Sequence, residues 1–168
     1  MSDSSTNAPV GGTTLRTLLD QVFDHTMSKD KAAVLAAFSP DAVFIDPHYP
    51  HPEMHGLDEI SAGLDWGFAG MERFGFSIVG SFLSEDGNSG AVEMECRHVL
   101  VGGRVLTFPQ VFVAEMEEGL LTRLRAYEPY GPGAPAMLAM RVQGWWLRLR
   151  SRRGGAQATP MSSDSMRA

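Results

Sequence analysis

Asp41-Ala42-Val43-Phe44-Ile45-Asp46-Pro47 is a short apolar strand that ends on a carboxylate. Pro47 follows at once and stops the strand. A carboxylate at the end of a buried strand is poorly solvated. Poor solvation strengthens it as a base, which is what a general base needs near neutral pH. The same Asp46 can instead cap the next loop by accepting backbone N–H bonds. That loop is rich in His and Pro, His48-Tyr49-Pro50-His51-Pro52-Glu53-Met54-His55-Gly56, and a helix comes after it.

Upstream of the strand the pattern is helical. Leu15, Leu18, Leu19, Val22, Phe23 and Thr26 recur at the spacing of one helix face. Ser28-Lys29-Asp30 breaks the run and offers an N-cap for a short second helix, with Ala33, Val34, Ala37 and Phe38 on one side. Ser39-Pro40-Asp41 ends that helix. Downstream of the loop, a third helix starts near Leu57 and carries Ile60, Leu64 and Phe68 four residues apart. From Phe74 onward the sequence turns to strands: Phe76–Leu83, Ala91–Val101, Val105–Met116 and Leu120–Glu128. Glu85-Asp86-Gly87-Asn88, Gly102-Gly103 and Glu117-Glu118-Gly119 separate them as turns. Helices first and a long antiparallel sheet after is an α+β layout, with helices on one face of a bent sheet.

Composition narrows the class. The 168 residues suffice for one domain with a core, and 43% apolar with 20% charged content is globular. Residues 1–135 carry 19 acidic and eight basic side chains, whereas residues 136–168 carry one acid and six arginines. An acidic body argues against nucleic acid as the main partner. The one cysteine, Cys96, excludes an internal disulfide. The polar start, Met1 to Asn7, is not a secretory signal, and no apolar run is long enough for a membrane span, so a cytoplasmic protein is expected. Residues 1–13 are expected to be a disordered tail, residues 14–130 the domain, and residues 131–168 a Pro/Gly linker, a basic helix and a second tail. The basic, aromatic segment 141–153 can lie on an anionic membrane surface, or it can dock on its own acidic body or stay a solvated tail; the latter reading, docked or solvated, is preferred.

The stretch Asp41 to Pro47, the following Met54-His55-Gly56-Leu57-Asp58-Glu59-Ile60 and the closing Val111 to Leu121 with Arg125-Ala126-Tyr127 resemble the SnoaL-like polyketide cyclase and ketosteroid isomerase superfamily, which has the nuclear transport factor 2-like fold. The resemblance spans about residues 15–130. It implies a cone-shaped half-barrel in which a curved, mostly antiparallel sheet wraps three N-terminal helices around an apolar pocket. It also implies a homodimer packed through the sheet, with no cofactor. Asp46 matches the family's catalytic base. In the ketosteroid isomerases of this group, a Tyr and a protonated Asp stabilise the steroid enolate. Here the oxyanion Tyr falls near Val22 and the second acid near Val111 or Phe112, and none of these side chains can donate a hydrogen bond. An epoxide hydrolase of the same fold needs an acid near Ala126, which has none.

Which other side chains reach the pocket depends on register. If Gly102-Gly103 is a two-residue hairpin, Val101 pairs with Arg104, and Glu95, Arg97, Gln110, Phe108 and Phe112 share one face, which the resemblance implies is the inner one. Arg97 would then stabilise an oxyanion, and Glu95 would pair with it or act as a second acid or base. This is the preferred register. One residue of slip instead brings Met94, Cys96 and His98 inside, with His98 near Asp46. Phe23, Trp66, His48 and Tyr49 are expected to touch a ligand, Glu128 to reach the pocket mouth, and Tyr127 to point outward. His48, His51, Glu53 and His55 have metal-ligand chemistry, yet the preferred reading of their loop is a rigid lid without metal. The expected activity is isomerisation, cyclisation or dehydration of an enone-, polyketide- or terpenoid-like molecule. Non-catalytic ligand binding is the alternative.

Overall fold

A computed structural model describes residues 13–128. The tail expected before Thr13, and the linker, basic helix and second tail expected over 131–168, lie outside the described residues.

Helix α1 (Leu15–Ser28) starts at Thr14, whose hydroxyl accepts the Thr17 N–H at 3.2 Å. Its stripe Leu15, Leu18, Leu19, Val22 and Phe23 is buried. Lys29 ends it in the left-handed region, and its ammonium donates to the carbonyls of Phe68 and Met71. Asp30 caps α2 (Lys31–Ala36) by accepting the Ala33 N–H. The second helix is shorter than its apolar pattern predicts. Phe38, expected on that helix, opens strand β1 (Phe38–Ile45) and pairs with Leu121. Pro40 disfavours helical backbone at Ser39, and the Ala37 carbonyl finds a partner in the Leu121 N–H at 2.9 Å.

The remaining elements are β2 (Glu53–His55), α3 (Gly56–Gly70), β3 (Met71–Arg73), β4 (Phe76–Leu83), β5 (Ser89–Leu100), β6 (Val105–Glu117) and β7 (Leu120–Tyr127). Strands β2 and β3 are additions to the expected order. β2 folds back on β1, pairing Val43 with His55, so the His/Pro segment is a hairpin connection rather than one open loop. The sheet runs β2-β1-β7-β6-β5-β3, with β4 also paired to β5. Only β1 and β7 are parallel; the other pairs are antiparallel. The sheet is curved and unclosed around the three helices, as the α+β cone requires. Its inner face carries the core: Phe44, Val92, Met94, Cys96, Phe112, Ala114, Met116, Leu124 and Ala126.

The preferred register between β5 and β6 is corrected by one residue. Val101 joins Gly102 and Gly103 in a three-residue turn. Leu100 N–H donates to Arg104 O at 2.8 Å, and Gly103 N–H donates to Leu100 O at 2.9 Å. Gly102 and Gly103 have φ of 97° and 84°, which glycine adopts without a Cβ penalty. Met94 therefore pairs with Gln110, Cys96 with Phe108, and His98 with Leu106. Met94, Cys96 and His98 are buried, and Glu93, Glu95 and Arg97 are exposed. Glu95 and Arg97 thus leave the set of pocket residues. Facing inward they would place charges in an apolar interior, while the alternate positions on this strand are largely apolar. Glu95→Ala and Arg97→Ala are each expected to shift stability by no more than about 0.5 kcal/mol. Urea denaturation checks this, and a larger loss would mean that either side chain supports the cone.

Candidate active site

The inner face and the helices enclose a cavity of about 290 Å³. Asp46, His48, Tyr49, Trp66, His98, Phe108, Gln110, Phe112 and Phe23 all line it, as do Phe44 and Phe76. Both residues that the two competing registers placed inside on different grounds, Gln110 and His98, are therefore present. The wall is dominated by aromatic and aliphatic side chains with few polar groups, the usual make-up of a small-molecule site.

Asp46 follows Ile45 out of β1 and is 6% exposed. Its Oδ1 accepts the His48 backbone N–H at 2.9 Å and lies 2.7 Å from His48 Nδ1. This is an Asx turn that also folds the imidazole onto the carboxylate. The other oxygen, Oδ2, accepts no hydrogen bond among the described residues, and it is not among their sealed, unpartnered atoms. Asp46 thus caps the loop with one oxygen, while the other has no partner among the described residues. The loop-capping role that the sequence offered for Asp46 is therefore met by Oδ1.

His48 Nε2 lies 2.7 Å from Glu128 Oε1 at the end of β7. Each ring nitrogen faces a carboxylate, so the imidazole is held as a cation that donates twice. The Asp46 hydrogen bond is the main cause; the Asp46 and Glu128 charges and the Glu128 hydrogen bond add to it against the cost of burial. Together they raise its pKa from 6.5 to about 9. Because the folded value exceeds the ordinary one, the stability from this contact is complete below pH 6.5 and is lost as pH rises through about 9. Denaturation midpoints measured across that window are expected to fall, and Glu128→Gln to reduce the fall. Identical pH dependence in wild type and Glu128→Gln would contradict the contact.

His98 also lines the cavity, packed edge-on against Phe74, Phe76 and Phe108. Burial, with the His48 charge, lowers its pKa, so it is neutral. Its Nδ1 accepts the Gly75 N–H at 3.3 Å, which leaves the proton on Nε2 as a donor. Phe108 lies between the two imidazoles, with ring centroids 5.3 Å from His48 and 5.4 Å from His98. Tyr49 packs between Phe44 and Trp66. Burial, with the Asp46 charge, pushes its hydroxyl pKa up, so it stays a donor. α3 admits Tyr49 because position 67 is glycine: a Cβ there would stand 3.2 Å from the Tyr49 oxygen. Gln110 is 3% exposed; its Oε1 accepts from the Cys96 thiol at 3.4 Å.

The loop's other metal-type side chains do not join this site. His55 Nε2 contacts Glu53 at 3.2 Å, and His51 and Glu53 line a separate outer cleft beside Trp66. Among the described residues no three His, Cys, Asp or Glu side chains are grouped to hold a metal ion. Nor does any described helix have the length and apolarity to cross a membrane. Sequence reasoning placed Glu128 at the mouth but missed its link through His48 to Asp46. The Asp-x-His spacing is the signal that could have found half of it. Thr26, Met71, Leu100 and Leu106 also line the cavity and were not anticipated.

Comparison with known proteins adds a family. The sequence model of the SnoaL-like domain matches residues 19–124. No curated protein matches the chain. Several solved structures share its fold. The Δ5-3-ketosteroid isomerase of a Mycobacterium species is 22% identical with a TM-score of 0.62, over 68% of this chain and 92% of its own. A Mycobacterium tuberculosis protein in complex with estradiol-17β-hemisuccinate is 20% identical with a TM-score of 0.61, over 67% and 91%. A putative polyketide cyclase of Pseudomonas putida is 16% identical with a TM-score of 0.60, over 70% and 93%.

Proposed function

The chain belongs to the SnoaL-like domain family, and we propose that its cavity performs acid–base chemistry on a small apolar ketone or enone with Asp46 as the general base. One observation carries this reading: Asp46 lines an apolar cavity, anchored through Oδ1, with Oδ2 unpartnered among the described residues. Oδ2 takes a proton from the carbon next to the carbonyl, and the electron pair moves to the carbonyl oxygen as an enolate. Neutral donors on the wall, among them His98 Nε2–H and the Tyr49 hydroxyl, meet the developing charge. Returning the proton to another carbon gives isomerisation. Attack of the enolate on a second carbonyl, whose oxygen takes the proton from Asp46, gives cyclisation, and loss of a β-hydroxyl as water, with that proton, gives dehydration. Enone-, polyketide- and terpenoid-like molecules all offer such a carbon acid. The likeness in fold to a ketosteroid isomerase and a putative polyketide cyclase supports this range.

The test uses 2-tetralone, a bicyclic apolar ketone with an acidic C–H. In heavy water the protein is expected to speed deuterium uptake beside the carbonyl, followed by NMR. Uptake at the buffer rate from bound ketone would contradict the base.

A second reading, binding without turnover, is favoured by the loop-capping bonds of Asp46 Oδ1 and by the neighbour solved with a steroid hemisuccinate. Tight binding with no exchange would select it. A homodimer packed through the outer sheet face is in keeping with Tyr127 and Val105, which are 51% and 45% exposed there.

A further inference from the structure

Tyr49 and Trp66 line two spaces at once. Both belong to the wall of the cavity and to the wall of the outer cleft that also holds Pro50, His51, Glu53, Met54 and Ala62. Among the described residues, no other side chain is common to the two walls. The two ring centroids are 5.6 Å apart, and Tyr49 also packs against Phe44 at 5.7 Å. Trp66 is half exposed and Tyr49 less so, which makes Tyr49 the inner member of the pair. Helix α3 is built to receive this ring. Glycine is a poor helix former, yet Gly63 and Gly67 both stand inside α3, four residues apart and therefore on one face. A Cβ at position 63 would meet the Met54 sulfur and stand 3.4 Å from Tyr49 Cδ1; one at position 67 would stand 3.2 Å from the Tyr49 oxygen. The ring therefore lies along that face, with Cδ1 at Gly63 and the hydroxyl at Gly67. The backbone of Tyr49 is fixed by the turn that carries Asp46, because its N–H donates to the Asp46 carbonyl at 3.2 Å.

We propose that Tyr49 determines specificity for ligand length: its ring is the partition between the cavity and the outer cleft, and it sets the longest apolar chain that the cavity accepts. With the ring in place, a ligand must fit the cavity's 290 Å³. Without it, an extended chain runs on past Trp66 into the cleft, where Pro50, Met54 and Trp66 offer apolar contact. The partition thus selects compact apolar molecules and excludes long ones of the same chemistry. This goes beyond the proposed base chemistry and holds equally for a site that only binds.

The experiment measures, by calorimetry, affinity for the primary alcohols from 1-hexanol to 1-dodecanol. In wild type the affinity is expected to rise about fourfold per methylene while the chain still finds buried space, and then to stop rising within the series. Tyr49→Ala is expected to carry the rise about three methylenes further or more. Phe23→Ala removes a ring of similar size from a wall that does not border the cleft, so it gauges added volume alone. Its limit is expected to move less than that of Tyr49→Ala. Ala62 lines only the cleft. Adding Ala62→Trp is expected to shorten the limit of Tyr49→Ala and to leave that of wild type where it was. Tyr49→Phe keeps the ring and is expected to keep the wild-type limit. Should Tyr49→Ala fail to fold, Tyr49→Leu takes its place, with the same comparisons and a smaller extension. Any one of four results overturns the proposal: no binding at any chain length, an unbroken rise in wild type, a Tyr49→Ala limit no longer than that of Phe23→Ala, or a Tyr49→Ala limit untouched by Ala62→Trp.

Discussion

Asp46→Asn is expected to lower deuterium exchange of 2-tetralone about a thousandfold while the protein stays folded. The substitution is nearly isosteric. An Asn oxygen can still accept the His48 backbone N–H and face His48 Nδ1, so the turn that fixes the loop survives. The negative charge and the basic lone pairs of Oδ2 are lost, and an amide cannot take a proton from carbon at neutral pH. His48 loses one of its two carboxylates and is expected to titrate lower, though Glu128 still faces Nε2. Thermal melting close to wild type, together with 2-tetralone binding close to wild type, would show that the loss is chemical. Exchange at the wild-type rate would remove Asp46 from the mechanism.

The second large effect concerns stability. Phe23→Ala is expected to cost about 3 kcal/mol, toward the low end for a buried Phe. The side chain is 5% exposed, and its ring centroid lies 5.1 Å from that of Phe76 and 5.0 Å from that of Phe112. It therefore ties α1 to two different strands. Part of its ring already faces the cavity, so truncation enlarges an existing space rather than opening a new one in a dense core. That is the reason for the low end of the range. The same truncation should admit larger apolar ligands. A urea midpoint shift equivalent to less than about 1 kcal/mol would mean that the helix is held mainly by its other buried residues.

The fold was legible because its signals are periodic. The Leu15 to Phe23 stripe, the strands after Phe74 and the Asp46-Pro47 stop each follow from spacing or from a residue with one conformational role. The placement of Glu95 and Arg97 was not legible, because it hangs on one turn. Gly102-Gly103 has the composition of a two-residue hairpin, yet Val101 belongs to the turn as well, and one residue inverts the whole face. Hydrophobic alternation along Met94, Cys96 and His98 carried the right answer and was outweighed by the turn chemistry and the family spacing. Phe38 was misread for a related reason: a buried phenyl fits a helix face and a strand equally well, and only its partner Leu121, far along the chain, decides. Of the Asp46, His48 and Glu128 contact, the Asp46–His48 half is local, but the His48–Glu128 half joins residues 80 positions apart, and no local pattern encodes it.

The most direct measurement is a crystal structure of the protein with 2-tetralone bound. With Asp46 as the base, the ketone is expected inside the cavity with the carbon beside its carbonyl about 3–3.5 Å from Asp46 Oδ2. A ketone bound with that carbon away from Asp46, or with Oδ2 closed off by the protein, would contradict the assignment of Asp46 as the base.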